Sequence, residues 1–271
     1  MDMKYLVKMH TYQPSPAIIA FAKAGYLPVS ISQDGQIHWN IDLPDVLREQ
    51  AGKWSWNDPW NPFILGALYN FERSNGLPVR PGRYGWKKLP EKVKQLIQSN
   101  QYVDDPNPWT WVLVKRGYSS ETATLYRSVS SDSGFSMDPV FTTAVNTGVF
   151  NGTPLGTWPV YLRYKVTSMR GSMVVSVPQN KVSEYQLDHE NGASWKSLGV
   201  SFRGNVMVHK IHYDDHGIKW VSYFHRGDAL HYFPRKTYGW PQSAGCVEMP
   251  EKAAKKMWND IGYGTLVSIV H

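Results

Sequence analysis

The chain has 271 residues and a formal net charge of +7, with 42% hydrophobic and 14% aromatic residues and a single cysteine. Those values exclude a disordered chain, a disulfide-stapled scaffold and a cysteine-rich zinc site, and leave ample length for a core. The positive charge favours an anionic partner: a cell-wall polymer, a membrane surface or nucleic acid. It is scattered, however, and the runs 83–94 and 252–256 read as solvated helix faces rather than a nucleic-acid surface.

No apolar run approaches the ~20 residues of a spanning helix. The opening MDMKYLVKMHTYQPSP lacks the apolar core of ~7–15 residues that a signal peptide carries, so this sequence shows no export signal.

Along the chain, PAIIAFAKA (16–24) predicts a short amphipathic helix stopped by Gly25, followed by an extended YLPVSIS. Residues 45–50 predict one or two further helical turns. In PFILGALYNFERSNG (62–76), Ile64, Leu65, Leu68 and Phe71 recur at spacings of three and four, one apolar helix face that ends at Asn75-Gly76. KLPEKVKQLIQS (88–99) predicts another helix with Pro90 at its start.

The polar, Pro-containing NQYVDDPNP (100–108) then marks a boundary. Beyond it, WTWVLV, ATLYRSV, FTTAV, TWPVYLRYKV, SMVVSV and GNVMVHKIHY are short, β-branched and aromatic, and predict strands. EKAAKKMWND predicts a late helix and GTLVSIV a last strand. The fold class expected is α+β: a small helical unit over 1–104 and a mostly β unit over 105–271.

Cys246 lies in YGWPQSAGCVEMP, where it reads either as a small buried hydrophobe or as a nucleophile. A thiol needs help to ionise, since its free pKa is about 8.5 and a neighbouring imidazole lowers it. Two histidines precede it in YFHRGDALHYFPR. His225 sits beside a turn-like Arg-Gly-Asp, whereas His231 follows Ala229-Leu230 at a predicted strand end, so His231 is favoured as the base. Gly245 permits close backbone approach, and Ser243 can bond the imidazole or the turn. A helix just after Cys246 would offer backbone N–H groups to the thiolate and to an oxyanion. HKIHYDDHG (209–217) invites a metal, but His209 and His212 face opposite sides of a strand, and DDHG reads as a hairpin turn.

With these residues in place, the carboxy-terminal part resembles the L,D-transpeptidase (YkuD-type) family. The resemblance rests on His231 followed by Tyr-Gly-x-Pro-Gln-Ser-x-Gly-Cys-Val, on Thr-Gly and Thr-Pro within 144–171, and on the closing GYGTLVSIV. It departs from the family pattern at Ala244, where a second histidine is usual, and at Tyr232, where a small residue is usual. ALYNFERSNGLPVRPGRYGWKKLPEKVKQLI is similar to a helical peptidoglycan-binding repeat.

The resemblance implies an L,D-transpeptidase-like β-sandwich and cross-linking of peptidoglycan through a thioester on Cys246. It implies His231 as base and an oxyanion held around Gly245 and Cys246, with Ser243 in support. It also implies L,D-carboxypeptidase activity when water resolves the thioester. Tyr223 and Tyr232 are the residues expected to line the substrate. No cofactor and no metal are required. Peptidoglycan stem peptides and glycan are the expected partners, carbapenem-type inhibitors are candidate ligands, and the compartment implied is the cell wall, periplasm or exterior. Two alternatives stay open, a wall-binding protein that keeps the fold without turnover and a cysteine amidase acting on other substrates.

Overall fold

The computed structural model describes residues 14–81, 85–117, 120–131, 134–178 and 195–271. The opening segment read for an export signal, up to residue 13, and the 82–84 turn of the amino-terminal resemblance lie outside them. Among the described residues no helix is long and apolar enough to cross a membrane.

The elements run α1 (Pro16–Lys23), β1 (Val29–Ile31), β2 (Ile37–Trp39), β3 (Ile41–Asp42), α2 (Asp45–Ala51), α3 (Pro62–Ser74) and α4 (Glu91–Ser99). Then follow β4 (Thr110–Lys115), β5 (Thr122–Ser131), β6 (Gly134–Ala144), β7 (Gly156–Pro159), β8 (Leu162–Pro178) and β9 (Trp195–Arg203). The chain closes with β10 (Val206–His225), β11 (Asp228–Tyr232), β12 (Val247–Met249), α5 (Glu251–Asp260) and β13 (Leu266–Val270). The four early helices, the late helix and the last strand fall where the sequence pattern places them.

Local chemistry explains the helix starts. Ser15 Oγ accepts from Ile18 N at 3.3 Å, and Asn61 Oδ1 accepts from Phe63 N at 2.9 Å with Pro62 in the first turn. Pro90 precedes the first turn of α4, and Asn100 closes the helix in the left-handed region at φ 52°.

Among the described residues the strands form a small β1-β2 ribbon and two larger sheets. One larger sheet has the order β3-β6-β5-β4-β13-β7; the other runs β12-β11-β10-β8, with β9 also paired to β10. The continuous apolar run of β4 is buried at every position from Thr110 to Val114, which is what a strand covered on both faces requires. Trp111 and Leu113, with Met137 and Leu266, face α1, α3 and α4 in one core. Val112, Val114, Val267 and Ile269 face the other way and pack against Leu230, Val247, Met249 and α5.

The molecule is therefore layered: helices, the six-stranded sheet, then the second sheet with α5. Backbone sets the closeness of the first interface, since a Cβ on Gly66 of α3 would lie 2.6 Å from Gly264 O. The predicted boundary segment is strapped to the helices by Asp105 N to Ala24 O at 2.8 Å and by Val103 N to Asn75 Oδ1 at 3.1 Å. The helical layer and the sheet thus share one core across that boundary.

Two expectations are corrected. TWPVYLRYKV is not one strand: β7 ends at Pro159, Val160 N bonds Thr265 O in the first sheet, and Tyr161 N bonds Tyr223 O in the second. The chain switches sheets where proline interrupts the ladder. Asp214-Asp215-His216-Gly217 is no hairpin turn either. Its residues lie inside β10, where the register shifts between Asp215 and Ile218 and Gly217 takes φ +71°, a bulge. In the same strand His209 is buried against Ser197 Oγ at 2.8 Å, whereas His212 is exposed beside Ser172 Oγ at 3.2 Å.

Removing residues 1–104 would uncover Trp111, Leu113, Met137 and Leu266. At roughly 1.5–3 kcal/mol per large apolar side chain, the loss is on the order of a whole domain's stability. A 105–271 fragment should therefore fail to show a cooperative melt by circular dichroism, and a fragment that melts cooperatively would overturn this.

Glu72 of α3 is 1% exposed, and burial raises its carboxyl to about 7 against the Arg80 N–H that bonds it. A carboxyl whose folded pKa is raised stabilises the fold below its ordinary value of 4.5 and loses that contribution as pH climbs through about 7. Chemical denaturation should show stability falling over this window, and Glu72→Gln should flatten the slope.

Candidate active site

The cysteine turn, residues 239–246, lies between Tyr238 and β12 and has little secondary structure of its own. The segment 145–153 holds it. Asn146 N donates to Glu248 O and Glu248 N to Asn146 O, both at 2.9 Å. Thr147 O accepts from Gln242 N and Ser243 N, and Val149 N reaches Ser243 O at 3.0 Å. Thr153 Oγ1 donates to Gly245 O and accepts from Gly148 N, each at 2.7 Å. Behind this lacing, the buried Glu121 carboxylate accepts from Thr147 N and Thr147 Oγ1, both at 2.6 Å. The Thr-Gly and Thr-Pro pairs of the sequence are thus the frame of the turn.

Within the turn Ser243 Oγ donates to Cys246 O at 2.5 Å and accepts from Gly245 N at 3.1 Å. Ser243 therefore braces the turn, and Gly245 N–H is directed at its hydroxyl rather than toward an oxyanion. A Cβ on Gly245 would overlap Asp228 Oδ1, so glycine is what allows the turn to lie against β11. Three residues of β12 separate Cys246 from Pro250 and α5, so the expected helix N-terminus at the thiol is absent.

Alternation along β11 and β12 sorts the neighbours. Leu230 pairs with Val247 and Tyr232 with Met249, and all four belong to the core between the sheets. Ala229 and Cys246 belong to the opposite face, with Met169, Ile218, Val221, Tyr223 and Phe233. Tyr223 is therefore on the thiol's side. Tyr232, expected beside the base, instead packs into the inter-sheet core with Lys219 Nζ 5.9 Å from its ring centroid.

The thiol donates toward Gly227 O at 3.9 Å. Burial pushes its pKa up to about 12; the Ala229 N–H works against this, and the carboxylates of Asp228, Glu248 and Asp215 add to it. Tyr161 and Tyr213 are each raised to about 12, first by burial, with the sulfur among their further neighbours. Glu248 is itself held by Arg235 in a two-pronged pair, Nε to Oε2 and Nη2 to Oε1, both at 2.9 Å.

The two histidines sit differently. His231 is 3% exposed, its Nδ1 donates to Tyr232 O at 2.9 Å, its ring meets Phe233 edge-on, and burial lowers its pKa. His225 ends β10 at the tight His225-Arg226-Gly227-Asp228 hairpin, whose Gly227 carbonyl faces the sulfur. Its Nδ1 bonds Asp228 Oδ2 at 2.8 Å, and Trp158 covers the ring at 4.5 Å between centroids. Asp228 thus touches both the imidazole and Gly245. The supporting residues that sequence reasoning passed over are Asp228, Glu121, Arg235 and Glu248. Only Asp228 carried a visible signal, its place in a turn next to a histidine.

The sequence matches the family described as the L,D-transpeptidase catalytic domain (YkuD) over residues 121–269, more than half of the chain. The chain belongs to that family. No curated protein matches it. Among solved structures it is similar to an L,D-transpeptidase from Mycobacterium tuberculosis H37Rv, at 15% identity and a TM-score of 0.36, over 60% of this chain and 58% of that one. It is also similar to one from Stackebrandtia nassauensis, at 15% identity and a TM-score of 0.31, over 94% and 89%. A third, LdtMt1, is described in complex with imipenem, at 14% identity and a TM-score of 0.34, over 59% of each chain. The chain spans about three-fifths of the length of the first solved structures it matches.

With its pKa near 12 the resting thiol is protonated at neutral pH. Iodoacetamide should alkylate Cys246 much more slowly at pH 7 than it does a free thiol, with the rate still climbing above pH 9. Gly245→Ala should push Asp228 off the turn and raise the alkylation rate at least several-fold. An unchanged rate, read by intact mass, would show that the turn tolerates the methyl group.

Proposed function

We propose that the protein is a cysteine-dependent L,D-transpeptidase acting on peptidoglycan, and that His225, not His231, serves as its base. The observation that carries this is the lone thiol set against a hairpin whose imidazole is oriented by a carboxylate. Nucleophile, base and orienter then stand in the order that covalent acyl transfer uses. His231 bonds a backbone carbonyl and serves the strand. Asp228 holds Nδ1 of His225 protonated, which leaves Nε2 as the proton acceptor.

In the first step Cys246 Sγ attacks the carbonyl carbon joining the diamino acid of a tetrapeptide stem to its terminal D-alanine. The thiol proton passes to His225 and then to the departing amine, so D-alanine leaves and a thioester remains. The Cys246 N–H is the proposed oxyanion donor. An amine from a neighbouring stem next attacks the thioester, His225 takes its proton, and the cross-link forms with the thiol restored. Water in place of the amine gives carboxypeptidase activity. Because the resting thiol is neutral, the proton must move as the sulfur attacks. Tyr223, on the thiol's face, lines the donor side, and a carbapenem would enter by the same acylation. The wall, periplasm or exterior is the compartment this chemistry needs.

Cys246→Ala should abolish carbapenem acylation and cross-linking of a muropeptide digest. His225→Ala should slow acylation at neutral pH by at least ~10², the low end for losing a general base, with partial recovery as pH rises. His231→Ala should lower the melting temperature while changing the acylation rate only a few-fold. Slow acylation in His231→Ala beside normal rates in His225→Ala would reverse the assignment. Persistent cross-linking by Cys246→Ala would remove the nucleophile altogether.

A further inference from the structure

A cavity of about 650 Å³ opens where α3, β5, β8 and the turn after α5 converge. It lies behind the sheet that carries the thiol. Arg163 of β8 pairs with Ser222 of β10, one residue out of phase with Leu162 and Tyr223, and Tyr223 is on the cysteine's face.

Its lining is unusual in charge. Arg73, Arg127 and Arg163 all face it, with Asp105 and Asp260. Asp260 takes Arg127 at 3.1 Å and Lys256 at 2.8 Å. Among the described residues, neither Arg73 nor Arg163 forms an ion pair with a carboxylate. Arg163 stacks on Trp258 at 4.5 Å, donates to Trp258 O, and is brought down to about 10 by burial, with Arg73 among the charges that lower it further. Two cations thus line one partly desolvated space, and among the described residues neither is ion-paired. In addition, Arg127 Nε and Trp258 Nε1 are buried donors with no hydrogen-bond partner among the described residues. Leaving such groups unmet costs about 1–3 kcal/mol each, more where charge is involved.

We propose that this cavity is a second ligand site, separate from the cysteine, that receives a free carboxylate of a peptide at Arg163 and Arg73. The lining of both signs suits a peptide that also carries an amine, since the Asp105 carboxylate lines the same cavity, with Asn70 Nδ2 and Asn107 N donating to it. A guanidinium pair meets a carboxylate with charge-assisted, directional bonds. The volume lies within the ~300–1,000 Å³ that small-ligand pockets occupy. Equating this peptide with a wall stem rests on the proposed function; the chemistry of the cavity does not.

The test uses the full chain and γ-D-glutamyl-L-lysine, which offers two carboxylates and two amines, titrated by calorimetry beside its doubly amidated form and inorganic phosphate. The free dipeptide should bind at least ~10-fold more tightly than the amide. Arg163→Gln should lose that margin and Arg163→Lys should recover part of it. Equal binding of free and amidated dipeptide, or no binding of either, would overturn the proposal. Phosphate binding as tightly as the dipeptide would overturn the peptide assignment. The comparison on the unaltered protein decides even where a variant fails to fold. Carbapenem acylation of Cys246, measured in the same samples, reports on the proposed function separately.

Discussion

The cysteine turn stands because another segment takes up its backbone groups. Nothing in residues 239–246 is regular enough to hold a side chain in place, and an irregular buried backbone is costly unless each polar group finds a partner. Asn146, Thr147, Val149 and Thr153 supply those partners, and Glu121 fixes Thr147 from behind. The position of the thiol is therefore set from a distance of about a hundred residues in sequence, through a buried carboxylate and two threonine hydroxyls.

That frame shapes the electrostatics of the site. By holding Cys246 half-buried against Ala229 and the Gly227 carbonyl, it favours the protonated sulfur, amid carboxylates that disfavour the thiolate. The Arg235–Glu248 pair neutralises one of those carboxylates beside β12. Asp228 plays two parts, orienting His225 and filling the space that Gly245 leaves open.

The layer order gives the frame its rigidity. β4 is covered on both faces, and the helices that cover it also contribute β3 to the edge of the same sheet through Ile41 and Phe135. Composition changes rhythm at residues 100–108, and one core holds residues from both sides of that segment. Sequence rhythm reports local structure, whereas burial is decided by which faces meet.

The sequence by itself determined the elements, since spacing along PFILGALYNFERS and alternation or continuous apolarity along WTWVLV are local properties of the chain. It also singled out the thiol, because one cysteine in a Ser-x-Gly-Cys turn is visible without coordinates, and the Thr-Gly and Thr-Pro pairs that frame it. Only the tertiary structure decided which face each side chain takes. Tyr232 and His231 are adjacent in sequence, but strand alternation sends Tyr232 into the inter-sheet core and His231 to the other side. The hairpin His225-Arg226-Gly227-Asp228 looked like a solvated turn. Arg226 and Gly227 are exposed, but His225 lies under Trp158 and Asp228 lies against Gly245, contacts made by segments far away in sequence that a linear pattern does not encode.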